Sequence, residues 1–294
     1  MLPPRRVLVA VDFSRTSRLA LDVATKLARH CSSELHAIHV PDPAIAAAAA
    51  EARIDLHAEA RDEVQRFASA VAGEYQTAPH IHVVDGDAAQ VIVDIAQRER
   101  IDLTVIGTRG HTEAVWPALG TIAEQVIRHS LTPVLLIPQD WEAGDRLGSD
   151  VSRIGPVIVG MDMTCPSITA AAEACRLAAA LKTRVTLVHA VPPPQVSDRW
   201  QHLAVTAAER KYAESSADYA RVAQAIQAAS TVPTALSIAR GPVVDVLLDA
   251  CKAERYGLVV LARGTRPHEY GAPGSVVTRV LTLGHVPVLM HVAA

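Results

Sequence analysis

The chain carries the same pattern of residues twice, and this internal repeat strongly limits the folds open to it. VLVAVD at residues 7–12 reappears as VIVGMD at residues 157–162. Near the far end of each copy, TPVLLIP at residues 132–138 reappears as VPVLMHV at residues 286–292. The shared landmarks keep their order and nearly their spacing. Since such self-similarity is the mark of one folding unit used more than once, we predict a tandem duplication.

The length of the chain agrees with two copies of one domain. Its 294 residues are about twice the ~150 residues of an ordinary domain, so each copy is long enough to bury a core. Between the copies, residues 139–155 are rich in Gly, Asp and Ser and show no apolar periodicity, which is typical of a linker. We therefore predict domains at residues 1–140 and 152–294.

Strand and helix patterns alternate within each copy. Residues 7–11 form a nearly continuous run of Val and Leu, as expected for a strand that is covered on both faces. Leu19, Val23 and Leu27 then recur at helical spacing. Alternation of this kind indicates βαβ units. It predicts an α/β fold with a doubly wound parallel sheet.

Composition and charge exclude several classes of protein. Hydrophobic residues make up 50% of the chain and the formal net charge is −3, which is unlike a disordered protein or a general nucleic-acid binder. No apolar stretch approaches the ~18 to 20 residues that span a bilayer. The four cysteines lack the spacing of a zinc or disulfide scaffold. We expect a cytoplasmic protein with reduced thiols that binds neither nucleic acid nor membrane.

The residues after the fourth strand of the first copy carry the clearest chemical signal. Gly107 and Gly110 are separated by two residues, and nine residues later Gly120 and Thr121 open a helix. Glycine lets the backbone approach a bulky ligand closely, and the free N–H groups of a helix N-terminus favour an anion. Asp12, at the end of the first strand, can accept hydrogen bonds from sugar hydroxyls. These residues describe a nucleotide cleft; the alternative is that the glycines only shape turns and that Asp12 only caps one.

These features resemble the universal stress protein family in its tandem two-domain form. The resemblance covers nearly the whole chain twice. It rests on the strands that end in Asp12 and Asp162, on His39-Val40, on Gly86-Asp87, and on the pattern Gly-2x-Gly-9x-Gly-Ser/Thr of the ATP-binding members. It implies two tandem, doubly wound, five-stranded parallel sheets of the Rossmann-like, adenine-nucleotide-binding type. It also implies that the last strands pair, which gives an intramolecular pseudo-dimer that can associate further into a homodimer.

The resemblance implies a particular arrangement of the nucleotide in the first copy. Val40 would offer backbone groups to adenine, Asp12 would hold the ribose, and the glycine loop would surround the phosphates of ATP. Asp12 could also position Mg²⁺ beside the phosphates, although a single carboxylate is a weak indication of a metal site. The expected site consists of Ala10, Val11, Asp12, Val40, Ile106, Gly107, Arg109, Gly110, Gly120, Thr121 and Ile122.

The second copy departs from this glycine pattern. Ala262 replaces the first glycine and Thr265 the second, although Gly264 and Gly274 are still separated by nine residues. A Cβ at position 262 narrows the approach of a ligand, whereas a shifted loop could retain part of the cradle. Arg263 could still attract phosphate. We expect the two copies to be functionally unequal, with a degenerate site in the second.

Histidines suggest a metal site only weakly. His80 and His82 share one face of a strand and Asp85 follows, but a surface role on an edge strand is more ordinary than metal binding. We therefore expect no metal ligands. His39 and His189 stand at equivalent positions in the two copies, which favours a packing role near the sheet.

Catalysis also has little support in the sequence. The patterns GxxxxGK[ST], GxGxxG, HExxH and GxSxG are absent, and no residue stands out as a general base. The preferred function is a cytosolic, non-enzymatic ATP-binding module of the stress response whose nucleotide state controls an unknown protein partner. The alternatives are a weak ATPase or phosphotransferase, and a nucleotide-free interaction module.

Overall fold

The structure is a computed structural model that describes residues 2–72, 79–110, 119–141, 154–192, 197–254, 257–263 and 275–292. Its strands are β1 (Arg6–Ala10), β2 (Glu34–His39), β3 (His80–Val83), β4 (Leu103–Gly107), β5 (Val134–Ile137), β6 (Val157–Gly160), β7 (Val185–Val191), β8 (Thr234–Arg240), β9 (Leu258–Ala262) and β10 (Val288–His291). Its helices are α1 (Arg15–Cys31), α2 (Pro43–Ala52), α3 (Leu56–Ala72), α4 (Ala88–Arg98), α5 (Thr121–His129), α6 (Cys165–Ala180), α7 (Gln201–Ala229), α8 (Val243–Ala253) and α9 (Ser275–Gly284).

Both copies have the same strand order. The first copy reads β3-β2-β1-β4-β5, and the second repeats that order as β8-β7-β6-β9-β10. All pairings within a copy are parallel. Strand order therefore reverses between β1 and β4, and again between β6 and β9, which opens a crevice at the carboxyl ends of those strands. The predicted doubly wound α/β fold, present twice, is confirmed.

The two copies meet along their last strands. β5 and β10 pair antiparallel, with Leu135 opposite Leu289 and Val134 opposite Met290. This pairing joins two five-stranded sheets into one ten-stranded sheet, and it is the pseudo-dimer contact that the resemblance implies. The domain limits 1–140 and 152–294 stay a prediction, because residues 142–153 lie outside the described part of the chain.

Each face of the sheet carries one apolar layer that runs through both copies. Val7 and Val157 are fully buried under the helices α1, α3, α6 and α7. Leu8 and Ile158 point the other way and are fully buried with α4, α5, α8 and α9. This alternation follows from the two-residue period of a strand. Since Val, Leu, Ile and Ala fill both layers, the low aromatic content of 3% suits the fold. Of the helices described, none is long and apolar enough to cross a membrane.

Contacts outside the sheet also connect the copies. The backbone N–H of Leu2 donates to Glu173 Oε2 on α6 at 2.7 Å, and the side chain of Leu2 is buried. On the other face, Arg263 Nη1 donates to the carbonyl oxygen of Ser130, just after α5, at 2.8 Å. The copies are therefore held together by backbone pairing, apolar packing and charge-assisted hydrogen bonds.

Candidate functional site

The residues singled out in the first copy come together at the crevice between β1 and β4. Asp12 lies two residues beyond the end of β1, and Gly107 is the last residue of β4. These strands are neighbours in the sheet, and the strand order reverses between them. Ligands of doubly wound sheets bind at this position.

Gly110 lies directly against Asp12. A Cβ built on Gly110 would be 2.6 Å from Asp12 Oδ2, so only glycine allows this approach without a shift of the carboxylate. The other oxygen, Asp12 Oδ1, accepts the backbone N–H of Ser14 at 3.0 Å. Asp12 thus has the turn-capping role that was the alternative to ribose binding. The same carboxylate nevertheless borders the glycine loop.

Gly107 has a packing role that the sequence did not indicate. A Cβ at this position would lie 2.7 Å from Thr16 Cγ2 and 3.2 Å from the backbone carbon of Thr16. Thr16 is buried in the first turn of α1. Glycine at 107 therefore allows α1 to pack closely on the end of β4, so its presence is explained without a ligand.

The N-terminus of α5 closes the crevice opposite β1. The backbone N–H of Gly120 donates to the carbonyl oxygen of Thr108 at 2.7 Å, which fixes the start of the helix beside the loop after β4. Gly120 is the N-cap residue, and none of the described side chains caps the helix. Thr121 and Ile122 are exposed in its first turn. An uncapped N-terminus of this kind favours an anion. Residues 111–118 lie outside the described chain.

The remaining predicted residues form the wall and floor of the crevice. The side chains of Val11 and Ile106 are buried in the two apolar layers, so only their backbone faces a ligand. Ala10, Val40 and Arg109 are half-buried. Arg109 is thus the cation among the predicted residues.

A histidine shapes the turn after the first strand in both copies. His39 Nδ1 lies 2.8 Å from the carbonyl oxygen of Val11, and His189 Nδ1 lies 2.9 Å from that of Met161. Each ring therefore fixes the residue that precedes the aspartate. The packing role expected for these two histidines is confirmed.

The equivalent crevice of the second copy, between β6 and β9, has different hydrogen bonds and a different residue at the end of its strand. Asp162 Oδ1 accepts both the backbone N–H and the hydroxyl of Thr164, at 3.0 and 2.6 Å. Burial acts to raise the pKa of Asp162, but hydrogen bonds from Thr164 and Ser167 outweigh it and lower that pKa. Ala262 ends β9 at the position of Gly107. The site residues Gly264, Thr265 and Gly274 lie outside the described chain.

Arg263 faces the first copy rather than the crevice beside it. Its Nη1 donates to Ser130 O at 2.8 Å and lies 3.4 Å from Arg128 O. These carbonyl groups at the C-terminus of α5 lack helical partners, and a cation satisfies them well. The phosphate-attracting role considered for Arg263 is replaced by this contact between the copies.

The fold and crevice define a class of protein: a tandem, doubly wound α/β chain whose copies pair through their last strands. The sequence profile of the universal stress protein family matches residues 4–138 and 154–291. The chain therefore belongs to the universal stress protein family, as its resemblance indicated.

Relatives and solved structures agree with this assignment. Universal stress protein MJ0531 of Methanocaldococcus jannaschii is 30% identical over 138 residues, which cover 45% of this chain and 81% of the relative. Universal stress protein YxiE of Bacillus subtilis is 29% identical over 147 residues, which cover 45% of this chain and 97% of the relative. A crystal structure of a universal stress protein from Archaeoglobus fulgidus matches with a TM-score of 0.69 and 17% identity, over 99% of both chains. This last likeness shows that the fold is shared along the whole tandem chain.

Proposed function

We propose that the first copy binds an adenine nucleotide, ATP by preference, in the crevice between β1 and β4. The close approach of Gly110 to Asp12 Oδ2, 2.6 Å for a Cβ at 110, carries the proposal. It brings the glycine loop and the carboxylate of the first strand to one place, although 98 positions separate them (110 minus 12). Packing explains Gly107 but not Gly110, which is exposed.

The proposed roles follow the geometry of the crevice. Asp12 accepts hydrogen bonds from the ribose hydroxyls, and Val40 offers its backbone to adenine at the end of β2. Bound Mg²⁺ would sit between Asp12 and the phosphates. The phosphates lie against Gly107, Arg109, Gly110, Gly120 and Thr121. Ala10 and Ile122 offer apolar side chains to the nucleotide, and Val11 and Ile106 offer their backbone.

Phosphate affinity in this site comes from local groups rather than from net charge. The chain has a formal charge of −3, so long-range attraction of an anion is weak. The uncapped N-terminus of α5 contributes about 0.3–1 kcal/mol per negative group near it. Glu124 in the first turn of α5 opposes that effect, but its charge is paired with Arg128 at 3.0 Å. Arg109 adds a positive charge beside the glycines.

The proposed function is nucleotide-dependent binding in the stress response rather than catalysis. The nucleotide state of the first copy would control the association of the protein with another protein, or of two copies of this chain. We place this function in the cytoplasm. All four cysteines are free, and burial raises the pKa of Cys251 to about 12, which is compatible with thiols that remain reduced and unreactive there.

Nucleotide retained by the purified protein tests the proposal. Acid extraction followed by mass spectrometry should identify an adenine nucleotide, and calorimetric titration of the emptied protein should give saturable ATP binding. ADP, AMP and GTP in the same titration define the preference for phosphates and base. Absence of both retained and added adenine nucleotide would leave the glycines with a purely structural role.

A further inference from the structure

Four polar side chains cluster at the edge of the sheet, away from the crevice. Glu34 and His36 lie on β2, and His80 and His82 lie on the neighbouring edge strand β3. His36 is directly opposite His80 in the register of the two strands. The cluster lies at the amino ends of these strands. Val40 follows β2 and comes four residues after His36, which corresponds to about 13 Å at the rise of a strand. The cluster is therefore separate from the proposed nucleotide site.

Three of these side chains have the geometry of a ligand set. One ligand atom each from Glu34, His36 and His80 lies within 4.8 Å of the others, and His36 Nε2 is 3.9 Å from Glu34 Oε2. Two ligands about 2.1 Å from the same ion are at most about 4.2 Å apart. Small rotations of Glu34 and His80, whose side chains are exposed, bring all three to that range.

His36 supplies the observation that points to a ligand. It is only 5% exposed, and its Nε2 atom is buried without a hydrogen-bond partner. Native proteins rarely leave a buried polar atom unsatisfied, so such an atom calls for a physical explanation. An ion held together with Glu34 and His80 would satisfy it.

His82 holds the ring of His36 in place. Its Nε2 atom is 3.0 Å from His36 Nδ1. When His36 Nδ1 donates in this hydrogen bond, His36 Nε2 carries a lone pair toward Glu34 and His80. Histidine ligands characteristically donate their second ring N–H to a neighbour, which sets the tautomer that a metal requires.

Positive side chains also border the cluster. Arg98 and Arg61 lie near His82, and Glu99 lies beside them with the opposite charge. Arg6 Nε donates to Glu34 Oε2 at 2.9 Å. This contact holds Glu34 Oε2 beside His36, and the same oxygen keeps a second lone pair for an ion.

We infer that Glu34, His36 and His80 form a site for a divalent transition-metal ion such as Zn²⁺, with His82 as a positioning residue. Two imidazoles and one carboxylate suit Zn²⁺ and leave a fourth position for water. Mg²⁺ and Ca²⁺ prefer oxygen ligands. The sequence alone suggested His80, His82 and Asp85, but Asp85 accepts from His57 at 2.8 Å instead. The two ligands that the sequence did not suggest, Glu34 and His36, come from β2, and the inference departs from the expectation of no metal ligands.

Bound metal would connect the edge strand to the rest of the sheet. β3 has only four residues, and among the described strands it pairs only with β2. An ion bridging His80 to Glu34 and His36 adds a link across that pair. Because the ion binds only the folded protein, excess Zn²⁺ at about a hundred times its Kd should raise the Tm by about 5 °C or more.

Titration of the full, tag-free, EDTA-treated chain with Zn²⁺ tests the inference. Calorimetry should show one site per chain that Mg²⁺ does not compete for, and Co²⁺ in its place should give the visible absorption of a tetrahedral site. After correction for the Zn²⁺ that ATP itself chelates, the affinity of the protein for Zn²⁺ should be the same with and without ATP. The His80→Ala and Glu34→Gln variants alter exposed side chains and should each weaken Zn²⁺ binding by about a hundredfold. The matched control His57→Ala removes an exposed histidine outside the cluster and should bind Zn²⁺ as tightly as the parent.

The role of His82 has its own readout. His82→Ala should weaken Zn²⁺ binding about tenfold, within the range typical of groups that orient a ligand, while the Co²⁺ spectrum stays tetrahedral. His82→Gln, which keeps a hydrogen-bond acceptor, should recover part of the affinity. The inference is overturned if the parent chain does not bind Zn²⁺, or if His80→Ala binds it as tightly as His57→Ala does.

Discussion

In the turn that follows the first strand, the two copies are built alike. Phe13 and Met163 both have left-handed backbone, with φ of 63° and 65°. His39 contacts the carbonyl oxygen of Val11, and His189 contacts that of Met161. The next helix is capped in the same way, since Ser14 accepts from Ser17 and Thr164 from Ser167. Duplication has therefore preserved the parts of the crevice that hold the backbone in place.

The copies differ at the residues that would face a ligand. Gly107 packs on Thr16 in the first copy, whereas Ala262 and Pro166 occupy these two positions in the second. The aspartates also differ, because Asp162 is held by both groups of Thr164 while Asp12 borders Gly110. Shared backbone geometry with changed surface chemistry is the difference expected if both copies retained the fold and one retained the proposed nucleotide binding.

Gly110→Val should produce the largest difference between the copies. The new side chain would meet the Asp12 carboxylate, which lies 2.6 Å from the position of the Cβ, and would fill the approach to the phosphates. We expect ATP affinity measured by calorimetry to fall by about a hundredfold, or about 2.7 kcal/mol. Gly110 is exposed, so the free energy of unfolding should change by less than about 0.5 kcal/mol.

Gly107→Val is the companion to that variant. It should lower the stability as well as the affinity, because the side chain would push against Thr16 on α1. An unchanged ATP affinity in Gly110→Val would contradict the proposed site. A large loss of stability in that variant would show that Gly110, like Gly107, is needed for packing.

Replacing each of the two aspartates by alanine compares the copies directly. Asp12→Ala should weaken ATP binding by roughly ten- to a hundredfold, since hydrogen bonds to a charged group contribute about 1.5–3 kcal/mol. Asp162→Ala should leave the affinity unchanged. Both aspartates accept a backbone N–H in the turn, so each variant controls for the loss of that contact in the other. Equal losses in the two variants would mean that both crevices bind nucleotide.

Arg263→Ala should affect stability rather than binding. Its guanidinium satisfies the carbonyl group of Ser130 across the junction of the copies. We expect the free energy of unfolding, measured by urea denaturation, to fall by about 1–2 kcal/mol, with ATP affinity unchanged. Lys252→Ala removes an exposed cation that pairs only with Asp249 on its own helix and serves as the control. If the variant binds ATP more weakly but unfolds with the same free energy as the parent, Arg263 contributes to phosphate binding instead.

Substitution of Glu173 should have the smallest effect on stability, and that effect should depend on pH. Burial acts to raise the pKa of Glu173, but hydrogen bonds from Arg176 and Leu2 outweigh it and lower that pKa. A lowered pKa in the folded state means that the contribution to stability is complete above the unfolded value of about 4.3 and is lost as the pH falls through the folded value.

The variant Glu173→Gln isolates this contribution. It should be less stable than the parent by about 1 kcal/mol at pH 7, and the difference should shrink steadily as the pH falls below about 4. Thermal denaturation across that range measures it. A difference that stays constant with pH would show that the charge of Glu173 does not anchor Leu2. The equivalent residue of the first copy is the buried Val23, so this contact belongs to one copy only.

Local patterns were sufficient to predict the elements of the fold. The run at residues 7–11 gave β1, and the apolar spacing of Leu19, Val23 and Leu27 gave α1, because periodicity records which face of an element is buried. Pairing of β5 with β10 came only from the family resemblance. No local pattern states which strand edges meet.

Contacts between residues that are far apart in the chain could not be predicted from the sequence. Thr16 against Gly107 and Arg263 against Ser130 depend on how helices pack on the finished sheet. The same holds for Glu34 and His36, which lie on one strand while His80 and His82 lie on another. A signal for that cluster was present, since both pairs have the two-residue spacing of side chains on one face of a strand. Their adjacency required the register of β2 and β3.

Native mass spectrometry of the full chain saturated with ATP tests the inequality of the two copies most directly. At an ATP concentration just sufficient to saturate the parent, the account predicts one adenine nucleotide per chain, largely lost in Asp12→Ala and retained in Asp162→Ala. Two nucleotides per chain, or one that persists in Asp12→Ala and disappears in Asp162→Ala, would contradict it.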